Sequence, residues 1–152
     1  MGFGEIVLRL VAATLIGASI GLNRYLHHKS IGIRTLGLVA LVAAAMVVSV
    51  LEVSTADAAT RVIQGIVTGI GFIGAGLIMH RPEDSQVHGL TTASTVWVAA
   101  AIGIMCGLGV WSVVLVAAAI VALILVFGGR VEKAIAHHYE RQDAKPGSKD
   151  GD

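Results

Sequence analysis

The stretch GIGFIGAG, residues 69–76, decides how the rest of the chain is read. Gly69-x-Gly71-x-x-Gly74 satisfies the G-x-G-x-x-G pattern that holds a dinucleotide's pyrophosphate at a helix N-terminus. That use needs a strand before the glycines, a helix after them and an acidic residue about 20 positions on. Here the glycines continue through Gly76 inside an apolar run, 62–80, and the nearest acids, Glu83 and Asp84, are too close. The stretch therefore reads as part of a membrane span. In a bilayer apolar burial does not drive helix against helix, so small residues that let backbones approach do. Glycine also weakens a helix, by about 0.8–1 kcal/mol per residue relative to Ala. Gly65, Gly69, Gly71, Gly74 and Gly76 thus either pack closely against another helix or break the span and expose backbone to a cavity.

Composition supports the membrane reading. Of 152 residues 55% are hydrophobic and only 14% charged, with mean hydropathy +0.82. A soluble domain is nearer a quarter charged. The charge sits at 23–34, 52–61, 80–88 and 130–152, which leaves five long apolar stretches at 4–22, 36–53, 62–80, 92–108 and 110–128. A spanning helix needs about 20 such residues. The second and fourth stretches are short, which a tilted or re-entrant path would accommodate. Between the last two lies only Gly107-Leu-Gly109, a tight hairpin or one interrupted element. The start is not a signal peptide, because Glu5 precedes Arg9 and another apolar run follows. Net charge of +1 gives no basic field for nucleic acid, and the lone Cys106 offers no disulfide framework.

Lys and Arg set the orientation. Arg24, Lys29 and Arg34 follow the first span, Arg81 the third, and Arg130, Lys133, Arg141, Lys145 and Lys149 the fifth. Those are nine of the eleven basic residues, all on one side, so the N-terminus is expected outside and the C-terminus in the cytoplasm. Tyr25 and Phe127 fall at the inner interface and Trp111 at the outer; Trp97 is expected to pack rather than anchor. Two regions are expected: a transmembrane domain, 1–128, and a short cytoplasmic tail, 129–152, leaving the membrane at Gly128-Gly129 with a short amphipathic helix and a disordered end.

Sliding the sequence by 57 residues aligns 16–44 with 73–101 without a gap, with nine of 29 positions identical. Gly17-Ala18 matches Gly74-Ala75, Arg24 matches Arg81, and the G-[IL]-x-T of 32–35 matches that of 89–92. Both copies cross inward and return, the parallel repeat of two helical hairpins that membrane transporters also use. The fold expected is an all-α membrane protein of about five transmembrane helices: two repeated hairpins and a fifth helix.

The candidate functional residues follow from what a bilayer penalises. Gly17-xxx-Gly21, Gly65-xxx-Gly69, Gly71-xxx-Ala75 and Gly103-xxx-Gly107 have the spacing for helix packing. Arg9 lies one turn from Glu5, the spacing of an intrahelical pair. Arg61, which could snorkel outward, and Gln64 are polar residues of the third span. Asn23-Arg24 and His80-Arg81 occupy equivalent inner-interface positions, where basic residues meet lipid headgroups. Arg34 and Thr35 open the second span; Thr91 and Thr92 open the fourth. These threonines read as N-caps, or as two repeat-related helix N-termini presented to one anion. All six histidines fall on the cytoplasmic side without diagnostic ligand spacing, so neither metal nor cofactor is expected. No nucleophile–base set or carboxylate pair lies near a plausible pocket, and no enzyme activity is expected.

At RVIQGIVTGIGFIGAGLIM, followed by VHGLTTASTVWVAAAIGIMCGLG, the chain closely resembles the MgtC/SapB family of bacterial inner-membrane proteins. LRLVAATLIGASIGLNR and GIRTLGLVALVAAA fit as well, so the resemblance covers about residues 4–127. It implies a multi-pass plasma-membrane protein linked to adaptation to low magnesium and, in some pathogens, to survival inside host cells. For some members it also implies regulation of other membrane machinery, the ATP synthase included, rather than magnesium transport. Two positions depart from the family. Asn23-Arg24-Tyr25 stands where members often carry Glu-Arg-Glu, and Thr91 where many carry Asn. The ACT-like cytoplasmic domain of longer members is not expected here. Two functions result: a non-enzymatic regulator docking on another membrane complex through small-residue helix faces, or a small-ion transporter using the repeat interface and a glycine-broken third span. A chain of 15.7 kDa leaves little room for a pathway, so either reading expects a homo-oligomer, a dimer first, within the lipid bilayer.

Overall fold

The computed structural model describes residues 1–27, 29, 31–54, 56–80 and 87–143, with backbone only at 56, 79, 80, 87, 88 and 130–143. Arg81, His28 and the tail beyond 143 lie outside the described residues. Helices α1 (Phe3–Leu26), α2 (Ile33–Val53), α3 (Ala56–Leu77), α4 (Leu90–Leu108) and α5 (Trp111–Asp143) account for nearly all of them. A two-residue antiparallel pair, β1 (Met79–His80) and β2 (Val87–His88), lies between α3 and α4. All five helices are long and apolar enough to cross a membrane, as the hydropathy pattern requires.

The ends of the third helix differ from expectation. Helix α3 begins at Ala56 and ends at Leu77 rather than running to 80. The chain turns there because Gly89, at φ 92°, closes directly over the Leu77 carbonyl, where a Cβ would collide. Helices α4 and α5 are two elements. Gly109, at φ 74°, ends α4 with its N–H on Cys106 and that of Val110 on the Met105 carbonyl, a Schellman-type stop. Helix α5 is continuous through Gly128-Gly129, and its apolar span runs from Trp111 to Gly129.

The chain divides into two compact units, Met1–Ala118 and Ala119–Asp152. The second is described as the remainder of α5, apolar to Phe127 and charged beyond it. In the first unit the core is built from small side chains: Ala13 of α1, Ala40 and Ala44 of α2, Ile102 and Cys106 of α4, and Val114 in the first turn of α5. Glycines let these helices approach. A Cβ on Gly17 would stand 2.6 Å from the Leu36 oxygen and 2.7 Å from Ala40 Cβ; one on Gly21 would stand 2.6 Å from Ile33 Cα. A Cβ on Gly107 would meet Val47 Cβ at 2.8 Å, and one on Gly103 would run into the Ala40 backbone. Real Cβ atoms essentially never come within 3.0 Å of such atoms, so α1, α2 and α4 are packed at backbone contact.

The 57-residue repeat is visible in the helices. Ile33 and Leu90, which open α2 and α4, are equivalent positions, each preceded by a glycine N-cap. Gly17 of α1 faces Leu36 of α2, while Gly74 of α3 faces Ala93 of α4, 57 residues on in both partners. The second pair is looser, at 3.8 Å.

Candidate functional site

Two arginines of α1 lie against opposite ends of α4. Arg9 Nη1 donates to the Gly107 carbonyl at 2.6 Å, and Nη2 pairs with Glu5 one turn back. The guanidinium lies so close to Gly109 that a Cβ there would be 2.7 Å from Cζ. A cation at a helix C-terminus meets unsatisfied carbonyls and the negative end of the helix dipole, so Arg9 acts as a C-cap for α4. The expected Glu5 pair is present; the cap comes from a contact 98 residues away that sequence spacing could not show.

Arg24 lies at the other end. It is only 4% exposed, and its Nη2 donates to Thr92 Oγ1 at 2.5 Å. Thr92, also buried, is the third residue of α4, and Thr95 Oγ1 donates to its carbonyl at 2.8 Å. Among the described residues Arg24 pairs with no carboxylate, and its Nε is buried without a hydrogen-bond partner.

The cap reading of the threonines is corrected by these helix starts. Gly32 and Gly89 hold the N-cap positions and have no side chain to give, so Thr35, Thr91 and Thr92 fall inside the first turns. Arg34, Thr35 and Thr91 are exposed; of the four polar residues opening α2 and α4, only Thr92 turns inward. Asn23 is half-buried, and its carbonyl accepts from His27 Nδ1 at 2.7 Å when that nitrogen carries the proton. Trp97, expected to pack, is 49% exposed because its side of α4 faces away from the core.

Helix α3 presents a different surface. Ala59, Ile66 and Ile70 are buried on its inner face. A helix repeats every 3.6 residues, which places Asp57, Arg61, Gln64, Gly65, Thr68, Gly69, Phe72 and Gly76 on the opposite face, and all are exposed. Nothing lies within 4 Å of a Cβ on Gly65, Gly69, Gly71 or Gly76, and Gly74 meets only Ala93. The helix is continuous through all five glycines. Thr68 donates back to the Gln64 carbonyl at 2.9 Å. Leucine and isoleucine suit a lipid-facing surface; an arginine, a glutamine, a threonine and bare glycine backbone do not.

These features define a multi-pass helical membrane protein with a close-packed α1–α2–α4 core and a polar, small-residue face on its third helix. The chain matches the MgtC family over residues 10–134, and it belongs to that family. It is 47% identical over 103 residues to Protein MgtC of Salmonella typhimurium, covering 68% of this chain and 43% of that protein, and matches Protein MgtC of Brucella abortus at the same identity. It is 39% identical over 120 residues to Protein SrpB of Synechococcus elongatus, covering 71% of this chain and 66% of that one. The matched segment spans less than half the length of the MgtC relatives. No solved structure matches it.

Proposed function

We propose that this is a non-enzymatic protein of the bacterial inner membrane, linked to low-magnesium adaptation and ion homeostasis, which acts by helix-to-helix association rather than by carrying a solute. The outward face of α3 carries this reading. Its Arg61, Gln64 and Thr68 are poorly suited to lipid, and its Gly65, Gly69 and Gly76 leave backbone bare for a close partner helix. A second copy of the chain is the first occupant of that face: Asp57 and Arg61, one turn apart, can exchange partners across a twofold axis along the membrane normal. The dimer in turn docks on, and adjusts, another membrane complex.

The transport alternative relies on a broken third helix and on an opening between the repeats. Helix α3 runs unbroken, and the space between α1, α2 and α4 is occupied by Ala13, Ala40, Ala44, Ile102 and Cys106. Two measurements separate the readings. In proteoliposomes, flux of Mg²⁺, K⁺ or H⁺ that is abolished by Arg61→Ala would sink the association reading. Single cysteines at positions 61, 65, 68 and 72 in a Cys106→Ser background should cross-link to a second copy with helical periodicity.

A further inference from the structure

The two arginines on α4 are electrostatically unequal. Arg9 sits where the helix dipole is negative and is paired with Glu5. Arg24 of α1 lies beside the first turn of α4, where the dipole is positive and the N–H groups of Leu90, Thr91 and Thr92 have no intrahelical acceptor. A buried guanidinium beside a positive helix end calls for a counter-charge, since an unpaired ion is costly to remove from water. Among the described residues Thr92 is the only side chain it bonds, and a neutral hydroxyl supplies none.

The donors around this point share one orientation of chemistry. Among the described residues Arg24 Nε–H, like Arg9 Nε–H, has no partner, the first-turn N–H groups of α4 have no intrahelical acceptor, and the Thr92 hydroxyl, which accepts from Arg24, keeps its own proton to donate. Depth selects the anion. Helix α1 has 24 residues, about 36 Å at 1.5 Å per residue, against a hydrocarbon layer of about 30 Å. Arg24, two residues from the end of that helix, therefore reaches the level of the lipid headgroups.

We infer that Arg24, Thr92 and the N-terminal turn of α4 form a binding site for a phosphate group, carried by a lipid headgroup or by free phosphate. This site is separate from the α3 face and stands whether or not that face pairs. It also gives the buried arginine a role that a headgroup-facing surface arginine would not have: the phosphate completes the packing of α1 on α4.

The test uses the whole chain, delipidated in a phosphate-free maltoside detergent. Its unfolding midpoint is followed while inorganic phosphate is added at constant ionic strength, and separately while phosphatidylglycerol is added to the micelles; ³¹P line broadening reports occupancy. The midpoint should rise with at least one of the two, and chloride should not substitute. Arg24→Gln should weaken the response about tenfold or more, the size of a lost charge-assisted bond. Arg24→Lys, which keeps the charge but loses Nε–H and the planar fork, should fall between and serves if the Gln variant does not fold. A response to the lipid alone identifies a headgroup site; a response to inorganic phosphate alone identifies a soluble ligand. No response to either, or an Arg24→Lys response equal to wild type, overturns the site. So does a stability loss in Glu83→Gln/Asp84→Asn with phosphate binding unaltered by Arg24 substitution, since the counter-charge would then come from the chain itself.

Discussion

Gly17→Ala and Gly74→Ala change the same residue in equivalent copies of the repeat, in the same Ile-Gly-Ala context, and should have opposite effects. At Gly17 the new Cβ would stand 2.6 Å from the Leu36 oxygen and 2.7 Å from Ala40 Cβ, where ordinary contact begins at 3.4 Å. The shortfalls, 3.4 − 2.6 = 0.8 Å and 3.4 − 2.7 = 0.7 Å, must be made up by moving α1 away from α2 along their shared contact. Overpacking of this kind costs about 1–3 kcal/mol. At Gly74 the neighbour, Ala93 Cβ, is 3.8 Å away, so the methyl fits without movement. Both substitutions gain the same helix-propensity term, about 0.8–1 kcal/mol, which cancels when the two variants are compared with each other. Gly17→Ala should therefore be less stable than Gly74→Ala by the whole overpacking term. In thermal unfolding of detergent-solubilised protein that is roughly 2–4 °C per kcal/mol, read as a lower midpoint for Gly17→Ala. A Gly17→Ala variant as stable as Gly74→Ala would show that α1 and α2 are not in backbone contact, and the packing account of the core would go with it.

On α3, Gly69→Leu should leave monomer stability within about 0.5 kcal/mol of wild type, the range of surface substitutions, while lowering dimer yield on size exclusion; intact dimer would remove α3 from the interface. Arg9→Met leaves the Gly107 carbonyl without its charged donor and should cost about 1.5–3 kcal/mol of unfolding free energy, with no loss in that assay showing that water does the capping instead. Cys106 is fully buried, so a maleimide should label it only after unfolding in SDS; prompt labelling in maltoside would contradict the packing of α4 in the core.

What was legible in the sequence divides along local and non-local lines. Apolar length is a local quantity, and the five spans follow from it. Their ends were less legible because each is fixed by a contact: α3 stops where Gly89 closes on Leu77, a meeting of residues twelve positions apart. The repeat was legible through Gly17/Gly74 and Gly32/Gly89, and those pairs carry equivalent contacts and helix starts. Arg24 was legible as a basic residue at an interface, but its burial was not, because the residue that draws it inward is Thr92, 68 positions away.

The glycines show the boundary most sharply. Gly17-xxx-Gly21, Gly65-xxx-Gly69 and Gly103-xxx-Gly107 present the same spacing, and spacing alone says only that a backbone can approach on that face. Which face meets the chain itself depends on where the other helices lie. The first and third pairs are both filled by one stripe of α2: Ile33, Leu36 and Ala40 against the first, Ala40, Ala44 and Val47 against the third. On α3 the glycines Gly65, Gly69, Gly71 and Gly76 meet no neighbour within 4 Å of a Cβ. Of the GIGFIGAG glycines only Gly74 meets another helix of the first unit, at Ala93; Gly69, Gly71 and Gly76 keep their capacity for close approach. A face with that capacity, flanked by Arg61, Gln64 and Thr68, suits lipid poorly, which is the ground for proposing that a second copy covers it.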